Sequence, residues 1–362
     1  MRTPATPLAT SSRARPSPYV VGPPVRAAGD FFGRAGQTRR FYETLASGPQ
    51  AQCVSVLGLR RAGKTSFLQH VAQPAVMAEH LPDAARYISL FVDLSACRAP
   101  ADFYARVARG LLRALPGRAT AESPAAADAY TVESLLYAFA GRRVILFMDE
   151  FDALRVAGFG DDFLTELRAL AGVWDYELAY VTASYWPLAQ LGNFVGLPPT
   201  SPFYNIFFPT PLYVAGLGPA ELDALVRVPA GRVGIMADDE DVALVRDIAG
   251  TLPFFVQATA AAWLAQKADG RPPDAAAMSR RLTSEMGPYF EQWWRGFSDV
   301  ERDVLRAVAA ERPVARLSYD AAELEAATRR LADYGVLVAA GDQWGCDSAL
   351  FRRWLAETIQ RR

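Results

Sequence analysis

One octapeptide constrains this chain more than any other feature: Gly58-Leu59-Arg60-Arg61-Ala62-Gly63-Lys64-Thr65. It satisfies the pattern G-x-x-x-x-G-K-[ST], and its flanks supply the context that the pattern needs. Gln52 to Leu57 are apolar and partly β-branched, as in a buried strand, and Ser66 to Val71 open a helix. A glycine-rich turn between strand and helix lets backbone amides converge on phosphate oxygens, where the helix dipole also favours negative charge. The pattern assigns Gly58, Arg60, Arg61, Ala62, Gly63, Lys64, Thr65 and Ser66 to a phosphate-binding loop. In it Lys64 reaches the β and γ phosphates and Thr65 ligates magnesium, so ATP and Mg2+ are the expected ligands.

The composition singles out the same lysine. Of 38 basic residues only Lys64 and Lys267 are lysines. Where arginine serves almost every other need for positive charge, a retained lysine points to a place that requires a compact ammonium, and a phosphate cradle is one.

A second element follows some eighty positions later. Val144 to Met148 is a uniformly apolar strand, as in the centre of a parallel sheet, and it ends in Asp149 and Glu150. Such a strand delivers Asp149 to the phosphate end of the sheet, where it can hold magnesium through water. Glu150 is placed to polarise an attacking water, and Asp152 is a third acid nearby. A fourth strand, Leu178 to Ala183, runs into Ser184, so Thr182 and Ser184 are candidate hydroxyl sensors of the γ phosphate. Arg168, on the preceding helix, is either a solvated side chain or an arginine offered to a neighbouring subunit's phosphate. His70 and His80 have no metal-ligand partners at useful spacing and read as structural.

Strands alternating with helices over residues 50 to 185 predict an α/β fold with a doubly wound parallel sheet, its ligand at the carboxyl ends of the strands. Beyond Pro211 the pattern turns helical, with Pro219 to Val228, Asp238 to Ala249 and Pro253 to Lys267 before a Gly/Pro/Asp break at residues 269 to 274. From about Ser298 three helices precede a hairpin, Val336 to Ala340 and Gln343 to Cys346, which describes a winged helix. The expected domains are a disordered leader (1–17), a P-loop core (18–210), a helical lid (211–296) and a winged helix (297–362). The leader holds arginines but no acid and lacks the apolar region of a secretory signal. Cys53, Cys97 and Cys346 are too scattered for a disulfide framework or a zinc site, and no apolar stretch is long enough to span a bilayer, so a cytoplasmic location is expected. A net charge of -1 leaves no global pull toward nucleic acid or anionic lipid.

Together these residues resemble the AAA+/STAND class of P-loop ATPases, specifically bacterial and archaeal ATPases that join the core to a C-terminal winged helix and are related to origin-recognition-type ATPases. The likeness rests on Asp30-Phe31-Phe32-Gly33-Arg34, the phosphate loop, the acid-terminated strand, Ser201 to Phe207, and Gly250-Thr251-Leu252-Pro253. The resemblance implies that Phe32, Gly33 and Arg34 lie against the adenine and that Pro253 helps close the lid over the nucleotide. Two departures stand out. The family's Gly-x-Pro turn has Thr251 where the glycine belongs, and the basic residue often found after the fourth strand is replaced by Tyr185 and Trp186.

What the resemblance implies is an ATP-hydrolysing switch, in bacterial signalling or defence, coupled to a separately encoded protein partner and able to form nucleotide-dependent homo-oligomers. The alternative is a DNA-binding ATPase acting through the winged helix. Its recognition helix, Asp320 to Tyr334, holds Arg329 and Arg330 against four acids, which disfavours phosphate contacts. Phe290, Trp293, Trp294 and Phe297 are read as core in preference to a docking surface.

Overall fold

The computed structural model describes residues 17–115, 127–156, 158–341 and 343–359. The expected leader lies outside the described residues except for its last position. Five strands form one parallel sheet: β1 (Val54–Leu57), β2 (Tyr87–Asp93), β3 (Arg143–Asp149), β4 (Glu177–Ser184) and β5 (Leu212–Tyr213), in the order β2-β3-β4-β1-β5. Parallel neighbours need crossovers, which are supplied among others by α2 (Lys64–Val71), α4 (Pro100–Ala114) and α6 (Asp161–Ala171), numbered after α1 (Ala35–Leu45) and α3 (Pro74–His80) with α5 (Ala129–Leu136) between. The register sets Leu57 beside Ser184 and Leu57 beside Tyr213, so the phosphate loop leaves β1 between two other strand ends. β3 stands one strand further, across β4, and its final acid emerges at the same edge of the sheet.

Burial of the central strands explains their uninterrupted apolar runs. Phe147 is fully buried and stacks between Phe91 and Phe41, with ring centroids 4.8 and 6.4 Å away. The strand β5 and the helices α3, α5 and α7 (Leu188–Phe194) were not anticipated from the sequence; all are eight residues or fewer, too short to display a period.

Beyond β5 come α8 (Pro219–Arg232), α9 (Asp239–Ala249), α10 (Pro253–Ala268) and the 22-residue α11 (Ala275–Gly296), which carries Pro288 inside it. The aromatic cluster of α11 is buried, as the sequence predicts, with Phe290 and Trp293 against Phe351 and Trp354 of α14 (Ala349–Ile359). The C-terminal region differs from the expected three helices before a hairpin. It has α12 (Asp299–Ala309), a short 3-10 turn at Val314–Arg316, α13 (Ala321–Asp333), the hairpin β6 (Leu337–Ala340) and β7 (Gln343–Cys346), and then α14. Pro313 and the polar segment around it leave only one turn where a middle helix was expected.

The Gly250-Thr251 departure from the family pattern has a physical reason. Gly250 has a φ of 74°, and a Cβ there would lie 2.5 Å from Asp347 Oδ2. Thr251 uses both its amide and its hydroxyl to donate to that carboxylate, at 2.7 and 2.9 Å. The turn at the start of α10 is thereby tied to the C-terminal region. Because Phe147 anchors the strand that delivers Asp149, Phe147→Ala is expected to cost about 3–5 kcal/mol, read as a lower urea midpoint.

Candidate functional site

A cleft of about 450 Å³ opens above the carboxyl end of β1. Residues Arg60 to Ser66 line it, together with Phe32, Arg34, Glu150 and Pro253. Gly58 lies beneath, where a Cβ would strike the carbonyl of Val214 at 2.5 Å, so the loop can sit this close to β5 only with glycine at its first position. Gly63 takes a φ of 96° and hands the chain into α2, whose first-turn amides face the cleft.

Lys64 is buried, with Nζ donating to the carbonyls of Gly58 at 2.8 Å and Leu59 at 3.1 Å. Burial pulls its ammonium below lysine's ordinary range, and the charges of Asp152, Glu150 and Asp149 oppose that fall. Glu150 shows the mirror image: burial raises its carboxyl above the usual glutamate range while Lys64 and Arg60 hold it down. Asp149 Oδ1 accepts the Glu150 amide at 2.9 Å, which orients the strand end.

Four described non-glycine residues have positive φ, and three of them, Arg34, Arg61 and Glu150, line this cleft. Each such conformation costs about 1–3 kcal/mol and persists only where surroundings enforce it. Arg34 is enforced by its amide on Glu221 Oε1 at 2.7 Å and by its guanidinium on the carbonyls of Ala62, Ala215 and Gly216. Burial lowers its pKa to about 10. Gly33, its neighbour, packs against the Glu221 side chain, and Phe31 stacks on His70. Arg61 lies over the rings of Phe254 and Tyr289, at 5.0 and 4.9 Å, and donates to the Gly22 carbonyl at 2.7 Å.

Ser184 and Asp152 are held by the protein's own groups. The Ser184 hydroxyl is buried and donates to the Trp186 carbonyl at 2.8 Å, while Thr182 is buried with Oγ1 unpartnered. Asp152 accepts the amides of Tyr185 at 2.7 Å and Trp186 at 3.1 Å, so it fastens the segment after β4 to the turn after β3. Arg168 lies along its own helix end, against Gly172.

The sequence reading missed the strap at residues 19–25. Tyr19 donates to Val226 O at 2.7 Å, Val20 N to Gln257 Oε1 at 2.8 Å and Val25 N to Ser66 Oγ at 3.0 Å, so this segment links α8 and α10 to α2 along the cleft wall. Pro23-Pro24 was its only local signal, since every partner is distant in the chain.

ATP and Mg2+ fit these residues. A buried ammonium, a loop that begins at Gly58 and enters its helix through Gly63, and two acids opposite suit a metal-bound triphosphate. Among the described residues no cluster of three His, Cys, Asp or Glu side chains is arranged to hold a metal. Thr65 and Asp149 would therefore hold the ion jointly with phosphate oxygens, which is how magnesium is commonly bound.

Fold and loop together define a P-loop NTPase. Residues 49–314 match the model of the family Novel STAND NTPase 2, and the chain belongs to that family. Among solved structures it is similar to a Walker-type ATPase of Pyrococcus abyssi, at 17% identity over 92% of this chain and 98% of that one, with a TM-score of 0.64. Weaker likenesses include the Aeropyrum pernix ORC1 protein in complex with DNA (15% identity, 91% and 94% covered, TM-score 0.48) and the Thermotoga maritima RuvB Holliday junction branch migration motor (13%, 91% and 97%, 0.47). A search among curated proteins returns no match. Among the described residues no helix is long and apolar enough to cross a membrane.

Lys64 supplies a test of the cleft. A folded-state pKa below the unfolded one means that the protonated ammonium costs stability at neutral pH. Lys64→Met is expected to raise the melting temperature without nucleotide and to abolish the further rise that Mg-ATP gives the unaltered protein, both read by differential scanning fluorimetry.

Proposed function

We propose that this chain is an ATP-hydrolysing switch whose nucleotide state is passed to a C-terminal winged-helix module and from there to a protein partner. The division proposed is a core at 18–210, a lid at 211–296 and the module at 297–362. Lys64 and the loop amides bind and orient the phosphates, Thr65 and Asp149 hold the magnesium, and Glu150 takes the proton of the attacking water. Phe32, Gly33, Arg34 and Pro253 form the base and lid side, and Ser184 stands beside the reacting end.

One connection carries this reading. Asp152, two residues from Glu150, holds the Tyr185 and Trp186 amides, and the Tyr185 carbonyl accepts the hydroxyl of Tyr334, at the end of α13, at 2.6 Å. Tyr185 and Tyr334 also stack, with centroids 5.6 Å apart. The Thr251–Asp347 contact offers a parallel tie from the lid. A ligand shifts such an arrangement only by binding its two states unequally, and contacts shared between cleft and module are where that difference can act.

The same contacts favour a protein over DNA as the partner. Arg330 is committed inward, paired with the buried Glu301 at 3.3 Å and lying over Trp186, while Arg329 pairs with Glu325. Salt-dependent DNA binding lost on changing both arginines would reverse that preference.

Glu150→Gln is expected to lower steady-state phosphate release about 10²–10⁴-fold while keeping nucleotide affinity, and to hold the ATP-bound arrangement. An unchanged protease pattern and solution size with and without ATP would sink the switch, and no phosphate release from the unaltered protein would sink hydrolysis. Tyr334→Phe removes one hydrogen bond, worth about 0.5–1.5 kcal/mol. It should leave ATP affinity intact and shrink the ATP-dependent change in hydrogen exchange of residues 321–359.

A further inference from the structure

Of the three arginines that line the main cleft, Arg34 and Arg61 are committed to protein partners and Arg60 is not. Arg34 is held by three backbone carbonyls, and Arg61 by two rings and the Gly22 carbonyl. Arg168 folds against Gly172, at the end of α6 that leads to the start of β4 and away from the strand ends that form the site. Arg60 is fixed only through its backbone: its carbonyl accepts the indole N–H of Trp293 at 3.1 Å, while its side chain is exposed. Among the described residues its guanidinium has no hydrogen bond or ion pair to a protein group.

Position completes the argument. Arg60 lines the main cleft together with Lys64 and Glu150, and it also lines a second cleft of about 410 Å³ with Glu150, Asp152 and Arg98. Glu150 and Arg60 are the two residues common to both clefts. Arg98 reaches only the second. The charge of Arg60 acts on both Glu150 and Lys64, which places it within the electrostatic unit that faces the phosphates.

We propose that Arg60 is a catalytic residue acting in cis: its guanidinium binds the terminal phosphate of the nucleotide gripped by its own loop and stabilises the charge that develops there on hydrolysis. This rests on the ATPase reading above and removes the need for an arginine from a neighbouring subunit. In the step, the oxygen of water forms a bond to the γ phosphorus and Glu150 takes the proton of that water. The bond from phosphorus to the bridging oxygen breaks with its electron pair leaving on ADP. Arg60 neither gives nor takes a proton; it supplies fixed positive charge at the γ-phosphate oxygens, where a planar, always-charged group is effective.

Arg60→Ala is expected to lower kcat about 10³-fold or more while ADP affinity, by calorimetry, stays within about threefold. The readout independent of turnover is retention of ADP with magnesium and aluminium fluoride, a mimic of the transferring phosphoryl group: the unaltered protein traps it and Arg60→Ala does not, with Arg60→Lys between. Turnover per chain of the unaltered protein should not depend on protein concentration, and mixing Arg60→Ala with Glu150→Gln should restore nothing. Unchanged kcat and trapping in Arg60→Ala, or activity restored by mixing, would overturn the assignment. Absence of hydrolysis in the unaltered protein would instead count against the ATPase reading itself, so the two failures are distinguishable.

Discussion

A lysine ammonium is held where the protein would rather have no charge. Lys64 is buried at the mouth of a parallel sheet, satisfied by two carbonyls of its own loop and faced by the acids that follow β3. Removing a cation from water is expensive unless something nearby compensates, and partial compensation leaves a strong field aimed at the cleft. The strained backbone at Arg34, Arg61 and Glu150, the glycine under the loop and the closeness of β5 all serve to keep that ammonium in place.

Around this centre the helices after β5 are tied to the sheet and the phosphate loop by polar contacts as well as by a continuous buried core. Glu221 caps the start of α8 and also accepts the Arg34 amide, so one carboxylate joins α8 to the segment that opens α1. The strap at residues 19–25 adds two hydrogen bonds to α8 and α10 and one to α2, and Arg61 adds two ring contacts.

Much of the architecture, and the loop and acid that the structure brings to one cleft, was legible in the sequence because it is local. The GLRRAGKT loop, the strand that feeds it and the apolar strand ending in Asp149-Glu150 are contiguous patterns whose residue types follow from phosphate, metal and burial. The contacts between distant segments were less legible. The side-chain partners of Tyr19, Arg34 and Arg61 lie 28 to 228 positions away, and single-sequence reasoning has no access to such pairs. Asp152 was visible as a nearby acid, yet its two backbone partners on the next strand's exit were not. The C-terminal hairpin was foreseen from Gly341-Asp342, whereas Pro313 reduced the helix expected before α13 to a turn.

Pro288 gives the long helix α11 an uneven stiffness. Its ring leaves the carbonyl of Ser284 without the amide that would normally meet it, and helices bend most readily where that ladder is interrupted. The next residue, Tyr289, receives Arg61, and five positions from the proline Trp293 grips the Arg60 carbonyl. A displacement of the loop therefore reaches α11 at its most compliant point. The segment of α11 beyond that interruption is also the one that carries the aromatic contact with α14, so the loop and α14 meet the helix on the same side of the proline.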